Sequence, residues 1–123
     1  MRGVLTVVML LSLSGMASAQ SPEGLWRTEK TPKGVSLDVR IASCGADLCG
    51  TIEAAYGTDR TDLVGEKLIL GMRPAGEGHW ADGEIVAPDS KIFPGEMWID
   101  GDGLRVQGCR LIVCRSQVWE RLD

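Results

Sequence analysis

Turn signals recur about every eight to twelve residues along this chain, and no segment between them holds a sustained helical period. That spacing restricts the fold more than any other feature, because it leaves room only for short strands. The interruptions are Lys30-Thr31-Pro32-Lys33-Gly34, the Cys44–Cys49 loop, the polar stretch Gly57–Glu66, Pro74-Ala75-Gly76-Glu77-Gly78, Pro88-Asp89-Ser90 and Asp100-Gly101-Asp102-Gly103. Val35 to Ala42 shows the pattern of what lies between. Val35, Leu37, Val39 and Ile41 alternate with Ser36, Asp38 and Arg40, as on a half-buried strand. The strands read as Gly24–Thr28, Val35–Ala42, the run from Gly50 to Tyr56, Lys67–Arg73, His79–Val86, Lys91–Ile99, Gly103–Cys109 and Cys114–Arg121. Eight antiparallel strands with short connections predict an all-β protein, a small up-and-down β-barrel; a two-sheet sandwich is the other architecture that fits.

Side-chain pairing sets the expected registers. With Cys44 opposite Cys49, Ile41 faces Ile52, Val39 faces Ala54 and Leu37 faces Tyr56 inside, while Arg40 meets Glu53 outside. Leu68, Leu70 and Met72 point inward. Trp80 and Ile85 have opposite parity, so burying both requires a bulge near Gly83. A type II′ turn with Gly101 in first place pairs Ile99 with Leu104 and Met97 with Val106 inside, and Trp98 with Arg105 outside. With Cys109 opposite Cys114, Leu104 meets Trp119 and Val106 meets Gln117. Trp119 and Arg121 then share the inner face at one end.

Residues 1–19 read as a secretory signal peptide: Arg2, an apolar run from Val4 to Leu13, and Ala17-Ser18-Ala19 for cleavage after Ala19. The expected mature chain, 20–123, is one domain in length and periplasmic in location. No cysteine marks a lipid anchor at the cleavage site, and no other apolar run is long enough to span a membrane. Losing Arg2 leaves 12 of the 13 basic residues against 17 acidic ones, a net charge of −5. That balance argues against nucleic acid and anionic membrane surfaces as partners. No protein partner can be read from the sequence.

The four cysteines form two C-x4-C pairs in a chain bound for an oxidising compartment. Hairpin ends favour the bridges Cys44–Cys49 and Cys109–Cys114. Two crossed connectivities and a four-thiolate zinc site remain open at this level. His79 is the only histidine, with no G-x-S-x-G, H-E-x-x-H or P-loop to partner it. Asp82 and Glu84 read as a solvated strand face, and Asp100 to Gly103 as a turn, not a calcium loop. The sequence therefore predicts no catalytic residues, no metal and no cofactor, and a hydrolase ranks last.

Inside the barrel, Gln117 stands on a face it shares with Arg115 and with apolar neighbours. A polar group there needs a partner, either internal or a ligand. Leu37, Val39, Tyr56, Met72, Met97, Val106 and Gln117 are the expected lining of a ligand cavity, with Ala54, Gly95 and Gly108 leaving room. Carriage of a small apolar or amphipathic molecule is the first reading. The alternative is a structural or interaction module with a solid core, for which a patch around Trp98 would be the contact surface.

Six motifs carry a family resemblance: Gly24-x-Trp26, Leu48-Cys49-Gly50, Leu68-x-Leu70-Gly71-Met72, Trp80-x-x-Gly83-x-Ile85-x-x-Pro88, Leu104-x-Val106-x-Gly108 and Gln117-x-Trp119-x-Arg121. In this order they resemble the bacterial exported family called domain of unknown function 2147, over nearly all the mature chain. The resemblance implies a lipocalin-like or fatty-acid-binding-like periplasmic barrel. It implies no activity and no catalytic residues, since the family has none established. Ser90 replaces a frequent Gly, Phe93 a frequent Tyr, and the Gly57–Glu66 loop lacks the usual Asn-Pro. By analogy with lipocalin-like barrels, Arg121 is expected over the Trp26 indole. With Trp119, these residues would lock the closed end and leave the opposite mouth for function.

Overall fold

In the computed structural model, Gly3 and residues 21–123 are described; the expected leader 1–19 and its cleavage point lie outside the described residues. Eight strands follow in order: β1 (Gly24–Arg27), β2 (Ser36–Cys44), β3 (Asp47–Tyr56), β4 (Lys67–Gly76), β5 (His79–Val86), β6 (Ile92–Asp100), β7 (Gly103–Arg110) and β8 (Val113–Arg121). Each pairs antiparallel with the next, and β8 pairs with β1, closing an up-and-down barrel. Closure leaves no continuous sheet edge, which is what makes so small a sheet stable in water. Among the described residues no helix is long and apolar enough to cross a membrane.

The two ends differ. Two-residue turns at Gly45-Ala46, Glu77-Gly78 and Gly101-Asp102 share one end with the start of β1 and the finish of β8. The longer loops 28–35, 57–66 and 87–91 surround the other, along with the β7–β8 turn. Near the tight turns the interior is packed solid. Trp26, Val39, Ile41, Ile69, Met72, Met97 and Leu104 are each at most 1% exposed. Trp26 faces Arg121 across the β1–β8 seam, and the Arg121 guanidinium carbon sits 4.2 Å from the indole centroid. The same guanidinium donates to the carbonyls of Ser21 (2.8 Å) and Glu23 (3.1 Å), while Trp26 Nε1 donates to Pro22 O at 2.7 Å.

Several expected registers hold. Ile99↔Leu104, Met97↔Val106, Trp98↔Arg105, Leu104↔Trp119, Val106↔Gln117 and Cys109↔Cys114 are all directly opposite. The bulge near Gly83 is present between Trp80 and Gly83, with Asp82 at φ 59°.

The β2–β3 hairpin departs from expectation, and with it Tyr56. Its turn has only two residues, so Cys44 pairs with Asp47 and Val39 with Ile52; a bulge between Asp38 and Val39 then shifts the register again. Tyr56 lands opposite Ser36 instead of Leu37, and Ala55 takes the inward place. Tyr56 is therefore 44% exposed on the outer wall and does not line the interior. Arg40, now opposite Thr51, still bonds Glu53, the extra residue of the bulge, at 2.6 Å. In β4 the alternation breaks as well. Leu68 and Ile69 are both buried and Leu70 is only half-buried, because the register against β3 shifts on both sides of Ile69, the second shift falling where Gly71 takes φ 66° before Met72.

The outward turn of Tyr56 builds a clamp across three strands. Tyr56 Oη and Arg27 Nε each donate to Asp38 at 2.8 Å, and the guanidinium lies over the Tyr56 ring. Burial pushes the Asp38 carboxyl upward, but the hydrogen bonds from Arg27 and Tyr56 and the Arg27 charge outweigh it and hold it below the ordinary value. A lowered folded pKa means stability present above about pH 4 and lost as the pH falls through the folded value. Asp38→Asn should thus cost about 1–2 kcal/mol at neutral pH. In urea titrations the gap from wild type should close below about pH 4. A gap independent of pH would show that the carboxylate charge does not hold the clamp.

Candidate functional site

Above the packed half the barrel is hollow. A cavity of about 940 Å³ opens at the mouth surrounded by the long loops. Leu37, Val106 and Trp119 form its floor; Leu68, Ile85 and Phe93 form wall; Leu63 closes over it from the 3₁₀ turn Thr61–Leu63. The difference between the halves comes from inward side-chain size. Trp26, Met72, Met97 and Ile69 fill the lower layers, whereas Val35, Ala87 and Gly108 line the upper ones.

Of the residues expected to line a cavity, Leu37, Val106 and Gln117 do so. Val39, Met72 and Met97 face inward but lie in the packed layer, each 0% exposed. Tyr56 is outside, for the register reason given above. Sequence reading missed Leu63, Phe93 and Arg110. Phe93 and Arg110 could have been found by carrying strand alternation to the ends of β6 and β7. Leu63 sits in a loop with no period to reveal it.

The polar lining divides into atoms the protein already uses and atoms it leaves free. Thr28 Oγ1 accepts from Leu37 N–H at 2.9 Å, and Thr31 Oγ1 from Val35 N–H at 3.1 Å. Glu29 Oε2 accepts from Val118 N–H at 2.6 Å, bridging the seam where β1 has already ended. Gln117 Oε1 accepts from Trp119 Nε1 at 3.0 Å, an internal partner for that half-buried carbonyl. Its amide NH₂ has no partner among the described residues. Arg115, opposite Gly108, and Arg110, opposite Val113, line the mouth on inward positions. Neither forms an ion pair among the described residues. What remains for a ligand is a large apolar surface with hydrogen-bond donors and two arginine charges at its entrance, beside the Glu29 carboxylate, which keeps its charge while accepting from Val118.

His79 lies on the outer wall. Its Nε2 is 2.7 Å from Glu96 Oε2 and its ring stacks on Trp98 at 5.0 Å, with Arg105 also over Trp98. None of these four residues lines the cavity. The cysteines form Cys44–Cys49 and Cys109–Cys114. The first bridge is at the closed end and the second at the mouth, which overturns the crossed pairings and the zinc alternative. Cys44 reaches Cys49 diagonally, not from the directly opposite position expected.

The sequence profile of a family described as "Uncharacterized protein conserved in bacteria (DUF2147)" matches residues 24–121. No curated protein matches the chain. Among solved structures, protein HP1028 from Helicobacter pylori, described as belonging to the lipocalin family, is similar in fold. It aligns with a TM-score of 0.70 at 11% identity, covering 84% of each chain. At that identity the likeness concerns the fold alone.

Proposed function

This chain belongs to the bacterial DUF2147 family, and from that premise we propose that it is an exported, non-enzymatic binding protein carrying a small amphipathic molecule inside its barrel. The observation that carries this reading is the 940 Å³ apolar cavity, open at one end. Its size falls within the range of small-molecule sites, about 300–1,000 Å³. A ligand tail of eight or so methylenes would contribute about 6 kcal/mol before the cost of association. Arg110, Arg115 and the Gln117 amide favour a head group that accepts hydrogen bonds or carries negative charge. A structural module with a solid core would not need such a space. The reading includes export by the leader 1–19, cleavage after Ala19 and a periplasmic barrel domain over 20–123. Two disulfides in a chain of this size fit an oxidising compartment.

Native mass spectrometry of protein purified from its own periplasm should reveal a bound species. Added back at about a hundredfold over its Kd, that species should stabilise the fold by about 2.7 kcal/mol. For a chain of this length the melting temperature should then rise by roughly 10 °C or more. Apo protein alone, with no thermal shift across a panel of fatty acids, lysophospholipids and small metabolites, would sink the proposal.

A further inference from the structure

The β7–β8 hairpin outgrows the barrel that carries it. β6 and β7 stop pairing at Gly95↔Gly108, and β8 pairs with β1 only at Trp26↔Arg121 and Arg27↔Glu120. Between themselves β7 and β8 continue to Arg110↔Val113. The last rungs thus form a two-stranded ribbon paired only with itself, a structure marginal in water without support. The Cys109–Cys114 bridge lies within those rungs and supplies it.

At the tip the residues are the opposite of what the backbone favours. Leu111 is 94% exposed, Ile112 97% and Val113 60%. Leu111 adopts φ 57°, which costs an L residue roughly 1–2 kcal/mol. The three two-residue turns at the closed end each place positive φ on glycine, at Gly45, Gly78 and Gly101. Here a large apolar residue takes that place and packs against nothing. Ile92, 57% exposed, shares a shallow depression with Leu111, Lys91 and Arg110, which extends the apolar surface toward β6.

The charge around this tip is positive. Arg110 and Arg115 flank it without carboxylate partners among the described residues. Lys91 stands beside Ile92 and meets Asp89 at 3.6 Å, and Glu29 is held by the Val118 N–H. Acidic side chains lie at both ends, with Asp47, Glu77, Asp100, Asp102 and Asp123 on or next to the tight turns and the C-terminus, and Glu29, Asp59, Asp62, Glu66 and Asp89 in the loops around the mouth. The ribbon itself, residues 109–115, carries Arg110 and Arg115 and no acidic residue, so the positive charge is local to the tip and opposite in sign to that of the whole chain.

We infer that the β7–β8 tip docks the barrel on an anionic phospholipid bilayer, with Leu111, Ile112 and Val113 inserted among the head groups and the cavity mouth turned toward the lipid. An exposed aliphatic tip ringed by Arg and Lys is complementary to that surface, apolar below and negative at the boundary. The inference goes beyond the binding reading and does not depend on it, since docking needs no ligand in the cavity.

Co-sedimentation of the purified mature protein with phosphatidylethanolamine–phosphatidylglycerol vesicles, against pure phosphatidylcholine vesicles, tests it. The wild type should bind the anionic vesicles, and raising the salt to about 0.5 M should weaken the binding. Leu111→Gly and Ile112→Ser should each reduce it roughly tenfold or more. Leu111→Gly should melt no lower than wild type, because glycine relieves the turn, so lost binding cannot be ascribed to unfolding. A wild type that ignores both vesicles, or variants that bind as well as it does, would overturn the inference. So would a wild-type dimer in sedimentation that the variants dissolve, since a second copy would then be the occupant.

Discussion

Trp26→Ala should lower the stability of the barrel by about 3–5 kcal/mol, among the largest costs a single core truncation brings. The indole is 1% exposed in the solid half of the interior, where no loop can relax into the space it leaves. Two further losses follow. Pro22 O loses the 2.7 Å bond from Nε1, and Arg121 loses the ring face it covers at 4.2 Å. The β1–β8 seam depends on that contact more than other seams do, since only Trp26↔Arg121 and Arg27↔Glu120 pair across it. In thermal melts the midpoint should fall by roughly 15 °C or more. Arg121→Ala should cost less, because its side chain is 30% exposed and its attraction is screened. If Trp26→Ala costs no more than a surface change, of about 0.5 kcal/mol, the closed end is not locked by this residue.

How legible was this in the sequence? Strand number, closure and order followed from turn spacing, because each turn carried its own chemistry, such as Gly101-Asp102. Where a hairpin was short and regular its register also followed, as for Ile99↔Leu104 and Leu104↔Trp119. The β2–β3 hairpin misled because a cysteine pair bridges equally well from diagonal positions, so the disulfide did not define the turn. The bulge beside Asp38 has no glycine or proline to announce it, and it alone moved Tyr56 to the outer wall. The cavity was half legible. Alternation identified inward residues but not their height along the barrel. Met72 and Met97 therefore looked equivalent to Leu37 and Val106, yet the first pair lies in the packed layer and the second faces open space. The hairpin tip escaped notice for a different reason. Leu111-Ile112-Val113 reads as an ordinary apolar run until exposure shows that nothing covers it.

Height along the barrel can be turned into a prediction through two glycines that face each other. Gly95 and Gly108 are partners across β6 and β7. A side chain at Gly95 would meet Ile85 Cγ1 at 2.7 Å and Met72 Cε at 2.9 Å, closer than real contacts, and would force the packed layer apart. At Gly108 the nearest atoms are Ile85 Cδ1 at 3.5 Å and Phe93 Cβ at 3.8 Å, ordinary contact distances. That position lines the cavity, so a large side chain there enters empty space. Gly108→Phe should therefore reduce the affinity for the bound amphiphile at least about a hundredfold. Stability should hold or rise by about 1 kcal/mol, since a glycine in a strand interior is itself costly and the ring would be buried. Gly95→Phe should instead destabilise the fold by about 1–3 kcal/mol through overpacking. Isothermal titration with the natively recovered ligand, beside thermal melts of both variants, separates the two effects. A Gly108→Phe protein that melts as wild type and still binds at full strength would place the ligand outside the barrel. Opposite signs for stability and binding at this one residue would mean that the hollow is kept open at a cost to the fold, as a binding site requires and a filled core does not.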